Sequence, residues 1–210
     1  QLRDINAFTF NAIFNSVGSG MPVPGATGAI DTLGVLTSTV TSTGLNNTTT
    51  TGSFMNGNFE ITFRSVMDNL VGSVTPDGFG GFNVTQTHLA GSLTATPDVA
   101  DLTMGLAGVN RGLEIYVDDL NPPSQSKANP LPGDVSDNIV GGGNDFENGT
   151  LIAKFNLLAG DGGTFNTRTI NGSDDATFEL VWAKPGVILD GTGQICGSVD
   201  CDLSSYVVGG

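Results

Sequence analysis

The chain is built from short runs in which apolar and polar residues alternate. Phe59-Glu60-Ile61-Thr62-Phe63, Leu113-Glu114-Ile115-Tyr116-Val117 and Phe178-Glu179-Leu180-Val181-Trp182 share one design. Each, when extended, sets three apolar residues on one side and turns its Glu to the other. Leu151-Ile152-Ala153-Lys154-Phe155-Asn156-Leu157 is a fourth run, with Lys154 on the outward side. Residues 80–89, 91–96, 164–170 and 204–208 are further strand candidates. Pro76-Asp77-Gly78, Gly160-Asp161-Gly162-Gly163, Asn171-Gly172 and Asp190-Gly191 punctuate them as turns. One short helix is expected over 98–107, with Asp98 near its start. Many short alternating strands with frequent turns predict an all-β protein, a β-sandwich or jelly-roll-like single domain.

The N-terminal run is the most apolar. Residues 4–14 place Phe8, Phe10, Ala12 and Phe14 on one face of an extended segment that also carries Ile5 and Ile13. Gly18-Ser19-Gly20-Met21-Pro22-Val23-Pro24-Gly25 follows as a linker by composition. The division is therefore 1–25 as strand and linker and 26–210 as the β-domain. Two readings of the strand stand side by side: a first strand of the domain's own sheet, or a strand lent to a neighbouring subunit. The second predicts that Ile5, Phe8, Phe10, Ile13 and Phe14 form the assembly contact. Residues 33–43 suit a Thr-rich strand, and Asn46 to Thr51 reads as a polar loop. Residues 119–149 hold Pro122, Pro123, Pro130, Pro132 and three successive glycines, with little apolar periodicity. They form one long Gly/Pro-rich surface excursion between two core strands.

Composition narrows the role. Lys+Arg is 7 against Asp+Glu 21, a formal net charge of -14, and charged residues are only 13%. Seven scattered basic residues cannot build the surface that nucleic acid requires. No apolar run approaches the roughly 18 residues of a membrane span. The acids are mostly Asp, 17 against 4 Glu, which favours turns over helix interiors. With 31 Gly, 24 Thr and 18 Asn, the chain is written for strands and turns.

Cys196 and Cys201 lie close enough in sequence to close a small disulfide loop. The competing reading, half a zinc site, needs further Cys or His ligands, and the one His, His88, is remote in sequence. A disulfide implies an oxidising compartment, so an extracellular or cell-surface protein. No signal peptide is visible, and Gln1 opens directly on a strand pattern, as in a processed chain.

Candidate chemistry is sparse. His88 sits alone on a Thr-rich strand pattern, and no nucleophile elbow exists. Glu60, Glu114 and Glu179 could act as paired carboxylates of a jelly-roll glycoside hydrolase. Each, however, occupies a solvent-facing strand position, and a catalytic acid needs burial. The expectation is a non-enzyme. Asp134, Asp137, Asp145 and Glu147 in the excursion, with Asp174 and Asp175 in a turn, supply the hard oxygens that a structural Ca²⁺ would take; no other cofactor is expected. Sequons at Asn83, Asn148 and Asn171 carry no weight in so Asn- and Thr-rich a chain, and the glycan state is left open.

Asp145-Phe146-Glu147-Asn148-Gly149-Thr150-Leu151-Ile152-Ala153 through Gly160-Asp161-Gly162-Gly163-Thr164-Phe165 resembles secreted bacterial proteins of the exosortase-sorted, PEP-CTERM type. So do Gly91-Ser92-Leu93-Thr94-Ala95-Thr96 and Gly172-Ser173-Asp174-Asp175-Ala176-Thr177-Phe178. The resemblance covers roughly residues 50–200, carries no catalytic motif, and implies a Thr/Gly/Asn-rich β-domain of the cell surface or biofilm matrix. The N-terminal segment by itself is similar to that of strand-exchanging extracellular fibre subunits. The leading expectation is a structural subunit of an extracellular filament or biofilm matrix, a homopolymer assembling head-to-tail by N-terminal strand donation. The alternative is a secreted module that binds carbohydrate or another surface.

Overall fold

In the computed structural model, residues 5–17, 22–43, 48–53, 59–102, 110–119, 146–169, 171–184, 188–189, 195–196 and 207–209 are described. Among them there is no helix, and the expected all-β fold is observed. The strands are β1 (Ile5–Val17), β2 (Thr27–Thr43), β3 (Thr48–Ser53), β4 (Phe59–Pro76), β5 (Phe82–His88), β6 (Gly112–Asp119) and β7 (Thr150–Leu157). They continue with β8 (Gly162–Asn166), β9 (Asn171–Asp174), β10 (Thr177–Ala183), β11 (Ile188–Leu189), β12 (Ile195–Cys196) and β13 (Val207–Gly209). Eleven of these strands join in one branched antiparallel sheet, and β11 and β12 form a separate ladder.

The branch point is β4. Its first half pairs with β6, from Phe59↔Asp119 to Val66↔Gly112, and its second half with β5, from Asn69↔His88 to Pro76↔Phe82. One limb then runs β6-β7-β10-β13 and the other β5-β8-β9. The opposite edge of β4 takes β2, from Val35↔Thr62 to Thr27↔Leu70. Beyond Val35, β2 continues beside β3, so the Thr48–Thr51 run expected as a loop is strand. Here Thr's β-preference outweighs the turn signal of the preceding asparagines.

β1 folds back on its own chain. It pairs antiparallel with β2 from Ile5↔Thr41 to Val17↔Ala29. The segment expected to be lent outward thus has a partner at home. The intervening linker is short enough to close a hairpin at small entropic cost. Two further expectations shift. Residues 98–102, the described part of the expected helix, are not helical, and Asp98 has φ 54°. The 91–96 segment makes only one bridge, Gly91↔Leu157, and residues 93–102 instead pass over the sheet face. That passage needs Gly91. A Cβ there would lie 2.1 Å from the Arg111 Cβ and 2.6 Å from the Arg111 carbonyl oxygen.

The apolar side of the alternating runs builds the main core. Ile61, Phe63, Leu113, Ala153, Phe155, Leu180 and Ala183 form one buried cluster, with Ile115, Val117 and Phe178 packed against it. On β4, β6 and β7 the polar side of these runs is covered, whereas Glu179 on β10 is half-buried. Glu60, Glu114 and Lys154, expected to point outward, are 3%, 0% and 0% exposed. The covering residues explain the discrepancy. Leu93 and Leu102 pack on Val66, and Phe146 packs on Leu33 and Val35. A strand pattern of alternating polarity reads the same whether its polar side faces water or a covering segment.

Candidate functional site

The covered face carries a transverse row of side chains. Leu33, Arg64, Glu114, Lys154 and Trp182 occupy matched positions on β2, β4, β6, β7 and β10. Burying ions is costly unless each finds hydrogen-bonded partners, and here they do. The Arg64 guanidinium donates from Nε and Nη2 to the two carboxylate oxygens of Asp31, at 3.1 and 2.9 Å. Its Nη1 donates to Glu147 Oε1 at 2.8 Å. Burial pushes the Asp31 carboxyl above its ordinary range despite the Arg64 hydrogen bonds. For Arg64, burial works against the charge, but Asp31 and Glu147 outweigh it and hold the guanidinium above its usual value.

Residues 93–102 complete the row. Lys154 Nζ donates to Asp101 Oδ2 and to the Val99 carbonyl, both at 2.8 Å, and lies 6.0 Å from the centre of the Trp182 ring. Thr94 donates to the Asp101 carboxylate from its backbone N–H at 2.9 Å and from its hydroxyl at 2.8 Å. Burial works to raise the Asp101 carboxyl, yet the Lys154 and Thr94 bonds outweigh it and set it below its ordinary range. Glu114 accepts from the Asp101 N–H at 2.6 Å and from the Tyr116 hydroxyl at 2.7 Å. Neither donor is a cation. Burial therefore dominates and raises the Glu114 carboxyl. The Tyr116 phenol is pushed up too, by burial first and by Glu114 second.

Of the site residues, Glu114 and Lys154 were expected to face water, Trp182 to face the core, and Asp101 to lie in a helix. One signal was available. In a chain of 7 basic residues, Arg64, Arg111 and Lys154 are all buried. Cations that scarce, at inward or outward strand positions, are where ion pairs with the strand glutamates could be sought. The burial that was lacking from the glycosidase argument is present at Glu60 and Glu114. Glu114 is fully enclosed, however, which bars a polysaccharide from its carboxyl.

The described calcium candidates, Glu147, Asp174 and Asp175, do not form one cluster with other acids. Asp134, Asp137 and Asp145 lie outside the described residues. Glu147 holds Arg64, at the return end of the excursion. Asp175 is exposed. Asp174 accepts from Gln86 Nε2 at 3.3 Å. Among the described residues, no group of three or more His, Cys, Asp or Glu is arranged to hold a metal ion. Cys196 sits in β12 opposite Ile188, while Cys201 lies outside the described residues and no disulfide is seen among them. The backbone of the assembly candidates Ile5, Phe8, Phe10, Ile13 and Phe14 lies in β1. Asn83, Asn148 and Asn171 are exposed.

His88 is buried on the other limb. Its Nδ1 is 2.5 Å from Asn69 Oδ1. Its Nε2 comes within 3.3 Å of Asp174 Oδ1 without a hydrogen bond between them. At the β4–β5 turn, Asp77 accepts from the Phe79 and Gly81 N–H groups at 2.7 and 2.9 Å and from Asn166 and Arg168. The Phe79 bond first, and the Asn166 amide next, hold its carboxyl far below the ordinary range. Phe79 itself is 78% exposed beneath the Arg168 guanidinium.

The described architecture is thus an antiparallel sheet with an apolar core on one face and an enclosed ionic row on the other. No known family, no curated protein and no solved structure matches the chain.

Proposed function

We propose that the protein is a structural subunit of an extracellular filament or matrix and associates with copies of itself along β1. The supporting observation is the character of that strand. β1 is 13 residues long, INAFTFNAIFNSV, with no charge, proline or glycine. Among the described residues it pairs with β2 alone. Edge strands are ordinarily blunted by charges, prolines or bulges. Here the register shifts fall between Ile5/Ala7 and Thr9/Phe10, and Phe10 to Val17 runs regular. In a chain of net charge -14, an uncharged edge is where two copies approach with least repulsion. Strand addition there supplies main-chain hydrogen bonds.

A second reading keeps head-to-tail donation: the same β1–β2 ladder forms between copies, as in a domain swap. The Gly/Pro-containing segment 18–25 favours it as the hinge. A sandwich arrangement of the limbs, a cell-surface location and the Cys196–Cys201 bond belong to the same proposal.

Negative-stain electron microscopy with light scattering tests it. The wild-type chain assembles, and Thr9→Lys/Asn11→Lys gives monomers with unchanged circular dichroism. A wild type that stays monomeric, or a variant that still polymerises, removes β1 from the account. Tethering β1 to its own β2 through Asn11→Cys/Val35→Cys separates the two modes. Edge addition survives the tether, and donation does not.

A further inference from the structure

Lys154 and Asp101 are separated by 53 positions in sequence, yet their side chains meet at 2.8 Å in an enclosed site. Their side chains are 0% and 10% exposed. Both sit on built supports. Lys154 is fixed within β7 between β6 and β10. Asp101 is held by Thr94 at its carboxylate, by Glu114 at its N–H, and by the Asn110 amide, which donates to its carbonyl at 2.9 Å. The strained Asp98, with φ 54°, is tied to Lys184 at 2.6 Å and helps fix the same segment. Directly across from Lys154 in the β6–β7 ladder is Glu114.

We infer that this site forms a covalent bond: an intramolecular amide between Lys154 Nζ and Asp101 Cγ, made by the chain itself with loss of water. Holding amine and carboxyl in a fixed near-attack arrangement replaces a bimolecular encounter by an intramolecular step, with effective concentrations on the order of 10⁵–10⁸ M. Exclusion of water removes the competing hydrolysis. Amide formation also replaces two buried charges by one neutral group, which removes their desolvation penalty.

The step balances within the chain. A proton passes from the Lys154 ammonium to the Asp101 carboxylate, leaving an amine and a carboxylic acid. The Nζ lone pair attacks Cγ and a C–N bond forms. One C–O bond then breaks, and the oxygen leaves as water. The nitrogen gives up a proton to the departing hydroxyl, and Glu114, which accepts the Asp101 N–H at 2.6 Å, positions the carboxyl for the attack. Nothing is oxidised or reduced. The product ties the segment 93–102 to β7, which suits a chain that bears mechanical load but does not depend on that role.

Intact-mass and peptide-mapping mass spectrometry of the reduced full-length protein decides the matter. The expected result is a mass one water below that of the sequence and a branched peptide joining residues 101 and 154. The water loss disappears in Lys154→Arg, which keeps the charge. Asp101→Asn still forms the bond, now with loss of ammonia, whereas an ion pair alone would leave that variant at its sequence mass. Glu114→Leu, which removes the acceptor of the Asp101 N–H, lowers the joined fraction while still melting cooperatively, and Glu114→Gln, which keeps an acceptor, restores it. Separate 101 and 154 peptides in the native chain overturn the inference. So does a water loss that persists in Lys154→Arg and maps to an Asp-Gly or Asn-Gly step elsewhere. If a variant does not fold, the peptide map of the native chain still gives the answer.

Discussion

Glu114 and Lys154 stand opposite each other in the β6–β7 ladder, and both are hydrogen-bonded to the same third residue, Asp101. The anion takes its backbone N–H and the cation its carboxylate. One residue of a covering segment therefore satisfies two buried groups of opposite charge. This joint satisfaction explains how a strand face written as polar can be enclosed without leaving its ions unpaired.

Removing the cation of the Asp31–Arg64 pair is expected to be severe. Arg64→Met leaves Asp31 buried without its bidentate partner, and breaking such a pair from one side costs about 3–5 kcal/mol. Urea unfolding measures it. The double variant Asp31→Leu/Arg64→Met should recover much of the loss. A single-variant effect below about 1 kcal/mol would mean that the pair behaves like an exposed one.

Stability should peak in mildly acidic solution. Asp31 and Glu114 have raised carboxyls in the fold, so the native state holds their protons more tightly than the unfolded chain. Their contribution is complete below the ordinary carboxyl range, about pH 4, and is lost as pH rises through the raised values. Asp77 is lowered and acts in the opposite sense. Its contribution is present above the ordinary range and is lost as pH falls through its depressed value. Melting temperature against pH checks both limbs. Glu114→Gln flattens the upper limb, and Asp77→Asn flattens the lower one. An unchanged upper limb in Glu114→Gln would contradict the burial argument.

Gly91→Ala drives a Cβ into the Arg111 backbone and side chain. The expected loss is about 1–3 kcal/mol, the usual effect of overpacking. The equivalent change at Gly78, where nothing lies within 4 Å of an added Cβ, meets backbone strain (φ +80°) but no collision. Denaturant midpoints of the two variants, with m-values compared, separate crowding from strain.

Cys196 and Cys201 are expected to be bonded to each other, because the chain offers no other thiol. Alkylation under non-reducing conditions should label neither. Two labelled thiols in protein recovered from an oxidising environment would exclude the bond.

The strands were legible where alternation was strict. The runs at Phe59, Leu113, Leu151 and Phe178 are all strand, and most of their apolar sides form one cluster, while register shifts carry Leu151 and Trp182 into a second cluster with Tyr116. Strand ends were less so. β4 extends to Pro76 through Asn69-Leu70-Val71-Gly72, where an exposed Leu70 beside a buried Asn69 and a change of partner from β6 to β5 blur the alternation. β9 occupies a segment whose Asn171-Gly172 reads as a turn, because its pairing with β8 is set by tertiary context. The ionic row was invisible for another reason. Periodicity reports which side of a strand a residue faces but not what lies over that side. The residues that lie there, Asp101 and Phe146–Glu147, come from segments without a period of their own.

Phe146 is fully buried, with its carbonyl oxygen accepting from the Thr62 hydroxyl at 2.6 Å, and Glu147 holds Arg64. At the other end of the excursion, Asp119 is paired with Phe59 on β4. Both mouths of the intervening stretch are thus clamped to the same strand, within a few residues of each other. The entropy of closing a loop grows only with the logarithm of its length, about 0.6 kcal/mol for each doubling. A change in the number of residues joining Asp119 to Phe146 should accordingly cost little in closure entropy, so the two clamps, and the ions they cover, can outlast a change in the length of the connection between them.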